Sequence, residues 1–185
     1  MKSFYKNKRV LITGGTGMIG IQLVHMLSQF KCQISTVSLE RNNNLPKNVK
    51  QIKLDLRDFN NCLKVTKNID FVFHLAGIKG SPKLTHTRPY SFMTPMILFN
   101  LNMFEACRLN KVKRYLYTSS VGVYKTDKIM KEDSVWKTFP SINDWYSGWA
   151  KRVGELQLEA FNKEFPKKPI TSIVRPANVY GPYDN

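Results

Sequence analysis

The sequence predicts an α/β domain on a mainly parallel, doubly wound sheet with helices on both faces, and three observations carry that prediction. Short runs rich in Val, Ile and Phe alternate with longer segments of helical period. A glycine-rich turn joins the first such run to the first long helical segment. The 185 residues suit one hydrophobic core, so residues 1–185 read as a single domain. Alternating strands and helices need crossover connections, which are right-handed and set successive strands parallel.

In chain order, RVLIT (9–13) is the first strand and MIGIQLVHMLSQF (18–30) the first long helix. QISTVS (33–38) and VKQIKL (49–54) are the next strands, and ERNNNLPKN (40–48) between them reads as a loop from its Asn, Pro and charge. NCLKVTKN (61–68) is a short helix before a fourth strand, DFVFHLAG (70–77). In the helical segment 90–110, Ile97, Leu101, Phe104 and Leu109 are expected to face the sheet. RYLYTSS (114–120) is the fifth strand, and residues 124–144 are a polar loop. The helix over 147–165 is expected to bury Val153, Leu156, Ala160 and Phe165, and TSIVRP (171–176) is the sixth strand.

Composition excludes several classes. No apolar run approaches the ~20 residues of a membrane span, and the apolar stretch after the basic amino terminus is too short for a secretory signal. The chain therefore reads as cytoplasmic, with no membrane partner. Cys32, Cys62 and Cys107 are odd in number and widely spaced, which suits reduced, buried thiols and suggests neither a disulfide framework nor a metal site. The formal net charge of +16 is spread over scattered lysines without Arg and aromatic residues interleaved. It is read as solvated surface or attraction for a small anion, and a dedicated nucleic-acid partner is disfavoured.

The turn VLITGGTGMIG places Gly14, Gly17 and Gly20 between a strand and a helix. Gly14 can adopt backbone angles that a side chain forbids, Gly17 lets the main chain approach a diphosphate, and Gly20 lets helix and strand pack closely. The helix N-terminus then offers unpaired N–H groups and partial positive charge to an anion.

With these residues in place the sequence resembles the extended short-chain dehydrogenase/reductase family, the NAD(P)-dependent nucleotide-sugar epimerases, dehydratases and reductases. The TGxxGxxG fingerprint matches Thr13 to Gly20, LDLRD resembles the acidic segment near the adenine, and HLAG the turn against the cofactor. YTSSVGVY resembles the fifth-strand serine motif, and RPANVYGPYDN the RPxNVYGP segment. The resemblance implies a Rossmann-type fold in which Gly14, Thr16, Gly17, Met18, Ile19, Gly20, Ser38, Arg41, Asp55, Leu56, Leu75, Ala76, Gly77, Lys151 and Pro176 contact the cofactor. It also implies a nucleotide-sugar substrate near Ser120 and Asn178, a homodimer through a four-helix bundle, and a smaller substrate domain expected after residue 185.

Aligned on the glycine motif, the resemblance puts Ser38 in the slot where an acidic residue would hold the ribose of NAD, and Arg41 just beyond it suits a 2′-phosphate. NADP is therefore favoured over NAD, with Glu40 as the feature that would restore NAD.

The resemblance further implies a tyrosine acid/base, a lysine four residues later that lowers its pKa, and a fifth-strand hydroxyl on the same substrate oxygen. Ser120 and Lys151 fill the last two roles, and Tyr146 is the provisional acid/base. Tyr146 lies five residues before Lys151, however, and Ser147 occupies the fourth. On a regular helix, four residues back is about 40° from Lys151 and five back about 140°. Three arrangements fit this offset: Tyr146 precedes the first regular turn and swings in; another acid or a water held by Ser120 and Ser147 does the work; or the domain binds cofactor without ordinary turnover. Val121 and Gly122 stand where the 4,6-dehydratases carry Asp and Glu, which leaves epimerisation, reduction or decarboxylation. The rival from another class is a non-catalytic dinucleotide-binding module serving as a sensor, subunit or RNA-associated scaffold.

Overall fold

The computed structural model describes residues 2–78, 80–165 and 169–183. Pro166, Lys167 and Lys168 of the basic FPKKP stretch, and the last two residues of the RPANVYGPYDN segment, lie outside the described residues.

Six strands form one all-parallel sheet: β1 (Arg9–Thr13), β2 (Gln33–Ser38), β3 (Lys50–Lys53), β4 (Phe71–His74), β5 (Arg114–Thr118) and β6 (Ile170–Val174). Their spatial order is β3-β2-β1-β4-β5-β6, so the winding reverses between β1 and β4. That reversal opens a crevice at the C-terminal ends of β1 and β4, the place where open α/β sheets take ligands.

Alternation along β1 divides the core. Val10 and Ile12 pack with Ile21, Val24 and Leu27 of α2 (Met18–Ser28), whereas Leu11 joins Val72, Met103, Tyr115 and Leu158 on the opposite face. That second face is covered by α3 (Phe59–Thr66), α5 (Pro89–Leu109) and α6 (Trp145–Glu164). Two short helices, α1 (Lys2–Tyr5) and α4 (Pro82–Thr87), and 3₁₀ turns at Val121–Val123, Glu132–Lys137 and Ile142–Asp144 complete the described elements.

The expected helix faces need correction. Phe104 is buried, but Leu109, Leu156, Ala160 and Phe165 are exposed, and Ile97, Leu101 and Val153 only half-buried. The inner face of α5 is instead Phe92, Met96, Phe99, Asn100, Met103 and Cys107, and that of α6 is Gly148, Lys151, Glu155, Leu158 and Phe161. Both faces carry polar residues, which a reading by hydrophobic period assigns to solvent. Gly154 brings α6 close to the sheet: a Cβ there would fall 2.4 Å from the Tyr117 hydroxyl.

Candidate functional site

The turn after β1 is built for close backbone approach. Gly14 has φ +66°, and a Cβ there would lie 3.0 Å from the backbone of Ala76, so the turns after β1 and β4 touch through a position only glycine fills comfortably. Gly17 caps α2 with no side-chain hydrogen bond, and the first turn of α2 carries no acidic residue. Its first N–H groups and its partial positive charge are therefore left for an anion. Gly20 packs against the Gly14 carbonyl, where a Cβ would fall at 2.3 Å; it holds the turn closed and does not line the crevice.

A cavity of about 780 Å³ opens beside this turn. Of the residues expected at a cofactor, Gly14, Thr16, Gly17, Ser38, Asp55, Leu56, Leu75, Ala76 and Gly77 line it. Met18, Ile19, Arg41, Lys151 and Pro176 do not. Arg41 requires the plainest correction: the chain turns so that Glu40, not Arg41, reaches the wall beside Ser38. The Ser38 hydroxyl is buried without a hydrogen-bond partner among the described residues. Asp55 already accepts from Arg57 Nε at 2.8 Å, and that hydrogen bond, opposed by partial burial, holds its carboxyl below the usual range.

The cavity also has walls that sequence reasoning missed. Ser91, Pro95 and Phe99 of α5 contribute, and Pro95 has no N–H to give the Ser91 carbonyl one helical turn back. A proline inside a long helical pattern was the available signal.

Behind the cavity runs a buried hydrogen-bond chain. Thr13 Oγ1 accepts from the Ala76 amide at 3.1 Å and donates to His74 Nδ1 at 2.8 Å. His74 Nε2 donates to Asn100 Oδ1 at 2.9 Å, Asn100 Nδ2 donates to the Tyr117 hydroxyl at 3.0 Å, and that hydroxyl donates to the Lys151 carbonyl at 3.3 Å. Burial, with help from the nearby Lys151 charge, pushes His74 down to about 3, so its ring is neutral and each proton has one assigned place. Asn100 was missed because it sits in an apolar run, yet an Asn on the inward face of a helix is itself the signal.

Lys151 lies at the end of this chain. Its Nζ donates to the Thr118 carbonyl at 2.7 Å and sits 5.2 Å from the Tyr117 ring centre. Burial pushes it down to about 8, against the pull of the Glu155 carboxylate. Nearby, the Thr118 and Ser119 hydroxyls are buried without hydrogen-bond partners among the described residues. Ser120 Oγ accepts from the Gly122 amide at 3.1 Å, and Pro176 accepts from the Val121 amide at 3.0 Å, which ties the segment after β6 to the serine turn. Asn178 is exposed. Residues His74 and Tyr117 are direct partners in register, so the turns after β4 and β5 emerge side by side.

Tyr146 does not join this group. Trp145 already has helical angles and α6 is continuous from it, so no irregular first turn swings the phenol toward Lys151. Tyr146 is 41% exposed, about 140° around the helix from Lys151. Ser147 holds the position one turn before Lys151, and its hydroxyl donates to the Asp144 carbonyl at 3.1 Å.

A glycine turn and an uncapped helix at the reversal point of this sheet define a Rossmann-type domain. The model of the NAD dependent epimerase/dehydratase family matches residues 10–185, and the chain belongs to that family. It is 30% identical over 184 residues to GDP-mannose 3,5-epimerase 1 of Oryza sativa subsp. indica, covering 95% of this chain and 47% of that protein. It superposes with a TM-score of 0.80 and 28% identity on UDP-N-acetylglucosamine 4-epimerase from Methanobrevibacter ruminantium in complex with UDP-N-acetylmuramic acid, covering 97% of this chain and 58% of that one. A Thermus thermophilus UDP-glucose 4-epimerase in complex with NAD gives a TM-score of 0.80 at 26% identity, covering 96% of this chain and 57% of that one. The chain thus spans about half the length of the curated relatives it matches. No described helix is long and apolar enough to cross a membrane.

Proposed function

We propose that this chain is the NAD-binding part of an NAD-dependent nucleotide-sugar epimerase. The observation that carries this reading is the uncapped N-terminus of α2 opening, across Gly14 and Gly17, into a cavity at the sheet's reversal point. The residues suit the cofactor: backbone amides and the helix dipole for the diphosphate, and the unpaired Ser38 hydroxyl for the adenosine ribose. Glu40 on the same wall would repel a 2′-phosphate, so the reading takes NAD and not the NADP that Arg41 suggested.

When bound, the nicotinamide supplies reversible hydride acceptance. The chain's own residues orient and charge the site around it. Lys151, fixed by Thr118 and by the buried chain ending at its carbonyl, would hold the nicotinamide ribose. Ser120 would hydrogen-bond the sugar oxygen, with Asn178 beside the sugar and Pro176 closing the cofactor side. With Tyr146 off the face of Lys151, we assign the proton at that oxygen to a water held between Ser120 and Ser147. The exposed Leu98, Leu109 and Leu156 on α5 and α6 support pairing with a second copy.

The serine in the tyrosine's place equally supports a second reading, a domain that binds NAD without turnover. Calorimetry of the purified chain with NAD and NADP tests what the two readings share. Both require saturable heat with NAD and weaker binding of NADP. A folded chain that gives no heat with either nucleotide excludes both.

A further inference from the structure

A second cavity, of about 730 Å³, lies away from the glycine turn, between the loop after β5 and the first turns of α6. Its wall combines flat apolar rings with cations. Trp136 and Phe139 are 46% and 66% exposed, and Trp149 stands behind Phe139 with ring centres 6.2 Å apart. Lys125, Lys137 and Arg152 are the charged residues of the lining, and no carboxylate is among them.

Arg152 shows the balance most sharply. It is 3% exposed, with its guanidinium carbon 5.3 Å from the Trp149 ring centre and 5.9 Å from that of Trp136. Its hydrogen bonds go to the Val123 and Thr138 carbonyls, and among the described residues no carboxylate lies within ion-pair distance of it. Lys137 reaches Asp133 at 3.4 Å, but both side chains are largely exposed, so that pair neutralises little. Lys125 has no ion-pair partner among the described residues. The cavity therefore sets aromatic rings beside an excess of positive charge in its lining.

These features select the ligand. A cation is repelled, an aliphatic anion leaves the rings in water, and a neutral aromatic leaves the excess positive charge of the lining unmet. A planar ring carrying an anion satisfies both, and the volume is ample for one of nucleotide size. We propose that this cavity binds a nucleoside 5′-phosphate, its base against Trp136 and Phe139 and its phosphate taken by Lys125 and Lys137, either as a free nucleotide or as one unit of a single strand. The cations and rings that meet here are dispersed between positions 125 and 152, which is why no basic-aromatic pattern is visible along the chain.

All three tryptophans of the chain, Trp136, Trp145 and Trp149, belong to this cluster, and none lines the glycine-turn cavity. Intrinsic fluorescence of the full chain thus reports this cavity. Titration with UMP and with a hexauridylate is expected to give saturable quenching that weakens as salt is raised. Affinity at least about tenfold higher for the hexamer than for UMP identifies a strand as the source, and equal affinity per nucleotide identifies the free nucleotide. The double variant Lys125→Glu, Lys137→Glu is expected to lose about tenfold or more in affinity. Phe139→Ala, at an exposed ring, should weaken binding while the unfolding midpoint stays unchanged. The heat of NAD binding at the glycine-turn cavity should persist in both variants. No saturable quenching, quenching that the charge-reversed variant retains in full, or an equal response to inorganic phosphate alone would each overturn the proposal.

Discussion

Arg175 forks onto Glu155: Nε and Nη2 donate to its two carboxylate oxygens at 2.9 and 2.8 Å, joining the end of β6 to the middle of α6. Glu155 is 1% exposed, so its charge has no solvent to fall back on. The remaining Arg175 donor, Nη1, goes to the Tyr124 hydroxyl and the Glu132 carbonyl, which pins the loop after β5 to the same clasp. Glu155→Ala is expected to cost about 3–5 kcal/mol, because it leaves a cation without its buried partner. Urea unfolding measures this. A double variant that also replaces Arg175 with Met should lose less than the sum of the two single changes.

His74 sets a pH dependence. Its folded pKa, near 3, is depressed below the unfolded value of about 6.5, so its contribution to stability is full above pH 6.5 and is lost progressively as pH falls toward 3. Between pH 7.5 and 5 the native protein should lose roughly 2 kcal/mol from this one group. His74→Gln, which cannot charge, should be less stable at pH 7.5 yet show a flatter profile over that interval in denaturant titrations.

Ser147 decides between the two functional readings. Ser147→Tyr restores a phenol about 40° from Lys151, beside an ammonium that burial already holds near 8. If turnover is native to the site, conversion of UDP- or GDP-sugars to their epimers in the presence of NAD should rise by at least about tenfold over the unaltered chain, since a positioned acid/base contributes roughly 10²–10⁴-fold. Tyr146→Phe should change nothing in the same assay. A fall of several orders of magnitude in Tyr146→Phe would return Tyr146 to the reaction.

Cofactor choice should turn on Ser38 and Glu40. Replacing Ser38 with Arg and Glu40 with Gln removes the repelling carboxylate and adds a phosphate ligand, so NADP affinity should rise by about tenfold or more. Calorimetry with both nucleotides reads the change directly. Unaltered NADP affinity would show that the ribose lies elsewhere.

Much of this was legible in the sequence. β1 and β2 match their expected bounds and the other four strands fall within three residues of theirs, because short β-branched runs flanked by turn residues leave few alternatives. The glycine turn was legible as a strand–turn–helix junction, whereas Ser38 and the Leu75–Gly77 turn were singled out only by the family resemblance. The inner face of α6 was not legible, since Lys151, Arg152 and Glu155 are charged and buried and so counterfeit a solvent face. Asn100 hid in the opposite way, as a polar residue inside an apolar stretch. Whether Glu40 or Arg41 lines the crevice depends on the local path of a loop, which neither period nor propensity encodes.

The row of buried groups behind the crevice begins at a peptide N–H and ends at a peptide C=O, neither of which exchanges charge at ordinary pH. A path blocked at both ends cannot ferry protons, whatever lies between. It acts as a strut that transmits position from the Ala76 turn to Lys151. Should the site turn over as proposed, the proton at the substrate oxygen has to come from outside this row, since neither of its ends can supply one.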